Sequence, residues 1–296
     1  MRTALSDVLA GADLLVLDGA MGTELARRGL EMGGQNCLSA PEAVVAVHQA
    51  YVEAGCTVLL TNTLTMNRIQ LAALPTSVDV REVNLAGARL ARQAAGTDRY
   101  VLGDMTSTGK LLEPYGDLAE SEARAAFREQ AECLAEGGID GFIIETMMDL
   151  NEALCALRAC KEVSPLPVFL SMAFSTLRDG GRTIMGNSAA DCARAAAEAG
   201  AQAVGANCGE VDPFEVAQIV AAMRRVTDLP ILAEPNAGKP KLVEGRTVFD
   251  MTPAAFAEGV VECVRAGARL VGGCCGTSPA HLRAAVTALA SRNRTS

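Results

Sequence analysis

Three cysteines stand in short glycine-containing segments that could form a single metal site. Cys208 lies in the sequence NCGE, and the adjacent pair Cys274 and Cys275 lies in GGCCGT. Adjacent cysteines rarely pair with each other, whereas flanking glycines allow the tightly curved backbone that brings two neighbouring thiols to one ion. Zinc is the ion that three thiolates favour in a site without redox chemistry, so the sequence predicts zinc at these residues.

The number and type of these ligands also indicate what the zinc would do. Three protein ligands leave tetrahedral zinc with a free fourth position, which is typical of catalytic sites. Three thiolates on a dication leave a net negative charge, which suits a soft ligand such as a substrate thiol that is to become a nucleophile. Two other interpretations remain open at this point. The adjacent pair could fill the core with Cys208 unrelated to it, or the pair could exchange disulfides without the usual two-residue spacing.

The remaining cysteines are predicted to be structural. Ten cysteines in a chain of 296 residues indicate free thiols in a reducing compartment, because disulfide frameworks belong to small secreted domains. Cys37 is predicted to lie in a polar loop. The cysteines that fall in helical or strand patterns, and are therefore predicted to be small core residues, are Cys56, Cys133, Cys155, Cys160, Cys192 and Cys263.

The elements that must position the three thiols form a regular series. Eight short apolar runs, each followed by a stretch with helical periodicity, predict repeated βα units. Prolines and one serine mark helix starts, and glycines such as Gly55 and Gly267 mark helix ends. The predicted strands are 14–17, 58–61, 100–103, 142–145, 168–172, 203–207, 231–234 and 270–273, and the predicted helix starts are Pro41, Ser121, Pro213, Pro253 and Pro279.

No change of composition divides this series. The predicted fold class is therefore α/β, a single (β/α)8 TIM barrel over residues 1–292 with a C-terminal tail at 293–296, and an open doubly wound sheet is the alternative. In such barrels the chemistry lies in the loops that follow the strands. Cys208 follows the sixth predicted strand, and the adjacent pair follows the eighth. All three thiols are therefore expected at the same mouth.

Charge and hydropathy restrict the partners. The formal net charge of −9, from 35 acidic and 26 basic residues, disfavours a nucleic-acid partner, whose phosphates require a basic surface. No apolar run approaches the roughly 20 residues of a membrane span, and the first apolar run is too short for a signal peptide. We expect a cytoplasmic protein that binds small molecules or another protein, without contact to a membrane.

Seven short motifs follow the predicted strands in a recognisable order. They are DGAMGTEL, TNT, TGKLLEP, IET, NCG, PNAG and GGCCGT. In this order, and over nearly the whole chain, the sequence resembles the homocysteine S-methyltransferase family, including the homocysteine-binding barrel of cobalamin-dependent methionine synthase. GGCCGT with a separate upstream NC is the most specific part of the resemblance.

The resemblance implies a (β/α)8 barrel with zinc on the three cysteines and homocysteine as the methyl acceptor. Asp18 and Glu145 correspond to the acidic residues that hold the substrate amino group, and two carboxylates around an ammonium are physically reasonable. An ordinary helix cap at Asp18 and an ion pair at the barrel rim at Glu145 are the alternatives. The substrate carboxylate is expected to meet backbone N–H groups where a helix begins, at Gly19, Ala20, Met21 and Gly22.

Three asparagines complete the predicted site, whereas the two histidines are predicted to lie outside it. Asn236 in PNAG is expected to cap the open zinc position with its amide oxygen until substrate arrives, and a turn-forming role is the alternative. Asn62 is predicted at the substrate-binding site, where it and Asn207 would orient loops or neighbouring groups. His48 and His281 lie in predicted helices away from strand ends, and both are predicted to be structural.

The methyl donor is less determined by the sequence. Members of the family use methylcobalamin, S-methylmethionine, S-adenosylmethionine or betaine, and a chain with no Trp and three Tyr is poorly supplied for the aromatic cage that betaine favours. The sequences of these motifs are most similar to those of the barrel of cobalamin-dependent methionine synthase. A methyl-corrinoid donor is therefore expected to be a separate protein that docks on the barrel mouth.

Other functions and a different acceptor also remain possible. Glu234 precedes PNAG where the family more often has a neutral residue, and GEVDP follows the first zinc cysteine. Either difference could change the acceptor to a related thiol. A corrinoid-linked demethylase for another methylated compound and a non-catalytic zinc-binding subunit are the alternative functions.

Overall fold

The chain forms a barrel of parallel strands surrounded by helices. The structure is a computed structural model that describes residues 2–74 and 77–292, so the predicted tail at 293–296 lies outside the described residues. The strands are β1 (Leu15–Val16), β2 (Val58–Leu60), β3 (Tyr100–Met105), β4 (Gly141–Met147), β5 (Val168–Met172), β6 (Ala203–Asn207), β7 (Ile231–Glu234), β8 (Lys241–Val243), β9 (Arg246–Val248) and β10 (Ala268–Val271).

Eight of these strands make the barrel sheet. Its order is β1-β10-β7-β6-β5-β4-β3-β2, every pairing is parallel, and a parallel bridge between Leu17 and Val58 joins the two ends. This arrangement confirms the predicted (β/α)8 barrel and rules out the open sheet. Strands β8 and β9 were not predicted, and they form an exposed antiparallel hairpin in the loop after β7.

The helices lie outside the sheet and mostly begin where the sequence predicts. Prolines start four of them, whereas the helix predicted at Ser121 begins one residue earlier at Glu120. Gly55 ends one helix in the left-handed conformation (φ 103°), as a glycine stop requires. In the described part of the chain, no helix combines the length and the apolar character needed to cross a bilayer. The helices are α1 (Leu5–Ala10), α2 (Met21–Arg27), α3 (Asn36–Ser39), α4 (Pro41–Ala54), α5 (Arg68–Ala72), α6 (Val80–Ala95), α7 (Glu120–Glu136), α8 (Leu150–Val163), α9 (Ala189–Glu198), α10 (Pro213–Arg224), α11 (Pro253–Arg265) and α12 (Pro279–Arg292).

The barrel interior is apolar at one end and polar at the other. One apolar cluster contains Leu5 and Leu9 of α1 together with strand residues such as Phe169, so α1 closes the end where the strands begin. Burying a side chain such as that of Phe169 contributes about 1.5–3 kcal/mol. Buried polar side chains stand at the other end, within or just after the last residues of the strands, at Asp18, Thr61, Asp104, Glu145, Ser171, Asn207 and Glu234.

The structural cysteines are buried as predicted, with one correction. Cys56, Cys133, Cys155, Cys160, Cys192 and Cys263 are all buried free thiols. Cys37 was predicted in a polar loop, and this prediction is wrong. It lies in α3, is buried, and donates its S–H to the backbone oxygen of Asn62. Asn36, the polar residue before it, is buried in the same helical turn.

Candidate metal centre and substrate cavity

The three predicted zinc ligands converge at the barrel mouth. Cys208 directly follows β6, and Cys274 and Cys275 lie in the loop after β10. Their three sulfur atoms lie within 4.8 Å of one another, and the Cys208 and Cys275 sulfurs are 3.9 Å apart. Tetrahedral zinc with Zn–S bonds of about 2.3 Å separates its sulfurs by about 3.8 Å. The spacing and softness of these donors therefore fit zinc.

The backbone at Cys208 has an unusual conformation that turns its thiol towards the other two. Cys208 has φ 54° and Gly209 has φ 73°, so two consecutive residues are left-handed. A Cβ at Gly209 would lie 2.2 Å from the backbone oxygen of Phe174, so only glycine fits there. A left-handed residue other than glycine costs about 1–3 kcal/mol and is typical of functional sites.

The three thiols strongly influence one another. Hydrogen bonds from Cys274 and Cys275 hold the pKa of the Cys208 thiol far below its ordinary value. The same contacts with Cys208 raise the pKa of Cys274 and that of Cys275. The cluster therefore favours one thiolate stabilised by two S–H donors, and a dication would be needed to ionise all three.

Asn236 follows β7 and reaches the same cluster. Its side-chain Nδ2 donates to the backbone oxygen of Gly209 over 3.0 Å, and its amide also contacts the Cys208 sulfur. Its Oδ1 is buried and accepts no hydrogen bond from any residue of the described ranges. A buried carbonyl oxygen without a donor suits a metal ligand. The predicted capping of the open zinc position stays a prediction that this geometry supports.

A cavity of about 300 Å³ opens beside the thiols. Cys274 and Cys275 line one side of it, whereas Cys208 and Asn236 are not among its lining residues. The structure therefore brings every predicted substrate-binding residue to one cavity next to two of the three thiols. These residues are Asp18, Gly19, Ala20, Met21, Gly22, Asn62 and Glu145.

Two predicted carboxyl groups of this cavity are buried and oriented by hydrogen bonds. The Asp18 Oδ2 accepts from the backbone N–H of Leu60 over 3.1 Å. The Glu145 Oε2 accepts from the Asn207 Nδ2 and from the Thr146 hydroxyl. Burial raises the pKa of both groups, and together with the nearby Cys208 it raises the pKa of Glu145 to about 7. Binding a cation would favour their charged forms.

The predicted carboxylate-binding turn is partly occupied by the protein itself. Helix α2 begins at Met21, as expected, but the backbone N–H of Ala20 already donates to the Thr277 hydroxyl over 3.1 Å. A Cβ at Gly19 would lie 2.7 Å from the same hydroxyl oxygen and 2.9 Å from that of Tyr51. The N–H groups at the start of α2 therefore remain the candidates for the substrate carboxylate.

The predicted role of Asn62 is modified by the structure. Its side-chain Nδ2 donates to the backbone oxygen of Gly33 over 3.1 Å, so the amide holds the loop after β1 across the cavity. Contact with substrate stays a prediction.

One of the two histidines was placed incorrectly. His48 was predicted to lie away from strand ends, but it is fully buried with its Nδ1 3.8 Å from the Asp18 Oδ2. The structural role predicted for His281 agrees with its contacts, because its Nε2 bonds to the Met251 backbone oxygen and its Nδ1 to the Ser278 hydroxyl.

The prediction from sequence did not include Asp104, and it mentioned Glu234 without placing it in the site. Asp104 at the end of β3 and Glu234 at the end of β7 are both buried, and burial raises the pKa of each well above its ordinary value. Asp104 lines the cavity and Glu234 does not. An acidic residue that ends an apolar strand was the available signal, whereas Glu145 was assigned through the family resemblance.

The chain thus forms a (β/α)8 barrel with three convergent thiols beside a carboxyl-lined cavity. The family model for homocysteine S-methyltransferase matches residues 15–289, and the chain belongs to this family.

Relatives of known name agree with this assignment. The chain is 31% identical over 314 residues to methionine synthase from Mycobacterium tuberculosis, in an alignment that covers 99% of the chain and 26% of the relative. It thus spans about a quarter of the length of that protein. The apo form of homocysteine methyltransferase MmuM from Escherichia coli is similar with a TM-score of 0.74 and 25% identity, over 95% of this chain and 98% of that one. The metallated form of MmuM has the same fold, with a TM-score of 0.76 and 24% identity.

Proposed function

We propose that the chain transfers a methyl group to the thiol of homocysteine and so forms methionine, with zinc held by Cys208, Cys274 and Cys275. The observation that carries this proposal is the convergence of three thiols within 4.8 Å at the edge of a cavity with buried carboxyl groups. Homocysteine carries a thiol at one end and an ammonium at the other. The three cysteines are complementary to the thiol, and the buried carboxyl groups are complementary to the ammonium.

The proposed substrate pose uses both ends of the cavity. Asp18 and Glu145 accept hydrogen bonds from the ammonium, and in the described ranges neither forms an ion pair with Lys or Arg that would compete. The N–H groups at Met21 and Gly22 face the substrate carboxylate at the positive end of α2. The thiol then lies beside Cys274 and Cys275.

The residues of the chain position the reaction. Zinc, when bound, lowers the pKa of a substrate thiol and fixes its position. Asn207 holds Glu145 and Leu60 holds Asp18, so the ammonium is fixed relative to the three cysteines. With zinc bound, the amide oxygen of Asn236, which has no donor among the described residues, would be available as the ligand that the substrate sulfur replaces. In the transfer a sulfur–methyl bond forms, the donor–methyl bond breaks and the thiol proton leaves to solvent.

A macromolecular donor is favoured by the surface around the cavity. Most large apolar side chains that are exposed in the described ranges lie on the loops that follow the barrel strands, at the end of the barrel where the cavity opens, and a docking protein would cover them. We therefore favour a methyl-corrinoid protein over free S-methylmethionine or S-adenosylmethionine. The apolar side chains are Met32, Leu111, Tyr115, Met148, Ile184, Met185, Leu242, Val243 and Val248.

Zinc content and donor use test the proposal. The protein is purified without chelator, zinc is quantified, and methionine formation from homocysteine is followed with S-methylmethionine, S-adenosylmethionine, methylcobalamin and a methylated corrinoid protein. We expect one zinc per chain, turnover with the corrinoid donors, and loss of both in Cys275→Ala. Cys192→Ala is the matched control, because this cysteine is buried outside the site.

Each contrary outcome removes a defined part of the proposal. Absence of zinc from the unmodified protein would contradict the metal site. Zinc without methionine formation from any donor would contradict homocysteine as the acceptor. Turnover with S-methylmethionine or S-adenosylmethionine but with neither corrinoid donor would contradict the macromolecular donor alone.

A further inference from the structure

One oxygen of the Asp104 carboxyl group has no hydrogen-bond donor among the described residues. Its Oδ1 is buried and accepts no hydrogen bond from the described residues, although the side chain lines the cavity and is only 6% exposed. Buried acceptors almost always have a donor in a folded protein. An acceptor that faces a cavity without one indicates that a ligand supplies the donor.

The backbone of Asp104 is held firmly, so the carboxyl position is defined. Its N–H donates to the Thr61 hydroxyl over 2.9 Å, and its backbone oxygen accepts from the Thr63 hydroxyl over 2.8 Å. The two hydroxyl oxygens are themselves 2.6 Å apart. These bonds fix the main chain of β3 through the loop after β2 and do not involve the carboxyl group. The carboxyl group hydrogen-bonds with the side chain of Glu145, and its Oδ1 remains without a donor among the described residues.

The position of Asp104 relative to the other acids is specific. In the sheet it pairs with Ile143, two residues before Glu145, and its side chain contacts that of Glu145. Asp18 reaches the same cavity from the end of β1. Each of these two other carboxyl groups already accepts a protein hydrogen bond, at Oδ2 of Asp18 and at Oε2 of Glu145.

A primary ammonium group has three N–H donors, and three carboxyl groups from β1, β3 and β4 line this cavity. We propose that Asp104 accepts the third hydrogen bond of the substrate ammonium and so makes the site specific for thiols that carry a primary amine. This inference rests on the proposed function. A thiol without the amine would leave the Asp104 oxygen unpaired in the complex, so it should bind more weakly.

Binding experiments test this role without a methyl donor. Calorimetry on zinc-loaded protein compares homocysteine with 4-sulfanylbutanoate, which lacks only the amino group. In Asp104→Asn we expect the affinity for homocysteine to fall about 10–100-fold while that for 4-sulfanylbutanoate is unchanged. Asp104→Ser should behave in the same way, and zinc content should stay at the wild-type value in both variants. Glu152→Gln is the control, because Glu152 is also buried but lies outside the cavity lining.

The outcomes separate this inference from the function on which it rests. If the wild type prefers homocysteine and both Asp104 variants keep that preference, the role of Asp104 is refuted and the proposed function stands. If both Asp104 variants lose affinity equally for homocysteine and for 4-sulfanylbutanoate, Asp104 has a structural role and the inference is also refuted. A wild type that binds neither thiol would refute the proposed function and this inference together.

Discussion

The substitution Gly272→Ala adds a single methyl group and should disturb the candidate site. Gly272 directly follows β10, and its N–H donates to the backbone oxygen of Ala233 over 3.0 Å. A Cβ there would lie 2.9 Å from the Leu17 Cβ, 3.0 Å from the Asp18 backbone oxygen and 3.1 Å from the Glu234 Cγ. The Leu17 Cβ and the Asp18 backbone oxygen cannot move without the main chain, so relief of this overlap requires that β10 and β1 move apart. That movement would carry Asp18 away from the loop that holds the thiols.

The size of the effect follows from this overlap. Overpacking of a well-packed core costs about 1–3 kcal/mol. For a chain of this size each kcal/mol lowers Tm by about 2–4 °C, so Gly272→Ala should lower Tm by about 2–12 °C. Because the loop also carries Cys274, the variant should release zinc to a competing chelator at a lower chelator concentration.

Calorimetry and a chelator titration measure both effects. Gly11→Ala is the matched control, since Gly11 has φ −79° and a Cβ there would meet its nearest atom, the Val8 backbone oxygen, only at 3.4 Å. If Gly272→Ala matches this control in Tm and in zinc retention, the close approach of β1 and β10 does not govern the site.

Three further changes have defined outcomes. Asp18→Asn should raise the KM for homocysteine about 10–100-fold by removing a charge-assisted hydrogen bond, with zinc content unchanged, as steady-state kinetics and metal analysis would measure. Asp140→Ala removes the acceptor of the Val101 N–H at the opposite end of the barrel, and it should lower the free energy of unfolding by about 1–3 kcal/mol in urea with kcat unchanged. Burial lowers the pKa of His281 from its ordinary value of 6.5, so just below that pH this side chain binds more protons in the unfolded chain than in the folded one. The contribution of His281 to the free energy of unfolding should therefore rise as the pH approaches 6.5 from below, so the wild type should gain stability relative to His281→Gln over this range, as urea unfolding at several pH values would measure; a difference that does not change with pH would contradict the assignment.

The repeating units were predictable because each apolar strand is followed directly by its helix. The start of β10 was placed two residues late because Arg269 interrupts the apolar run. Its long side chain leaves the sheet and donates to the backbone oxygen of Leu9 over 3.1 Å, which allows a charged residue within the strand. The hairpin of β8 and β9 was missed because its strands are three residues long and exposed on both faces.

The candidate site was predictable wherever a residue type and a strand end were enough. The thiols were placed correctly because strands β6 and β10 end at the same mouth. The contact of His48 with Asp18 depends on which strand end α4 crosses, and chain order does not reveal this. Its place between Val44 and Tyr51 on the buried face of α4 was the one available sign. Nothing in the sequence indicates that the Ala20 N–H donates to the Thr277 hydroxyl and is therefore not free to bind the substrate.

The way β1 is held has a consequence for how the protein acquires its site. The Asp18 backbone oxygen accepts from the N–H of Gly273, and the Asp18 carboxyl accepts from the N–H of Leu60, so the end of β1 is fixed by the last strand and by the second one. The Ala20 contact spans 257 positions of the chain. Contacts between such distant segments form late and slowly in folding. Asp18 therefore joins the thiols only when the eighth unit meets the first, so the substrate cavity is completed when the barrel closes.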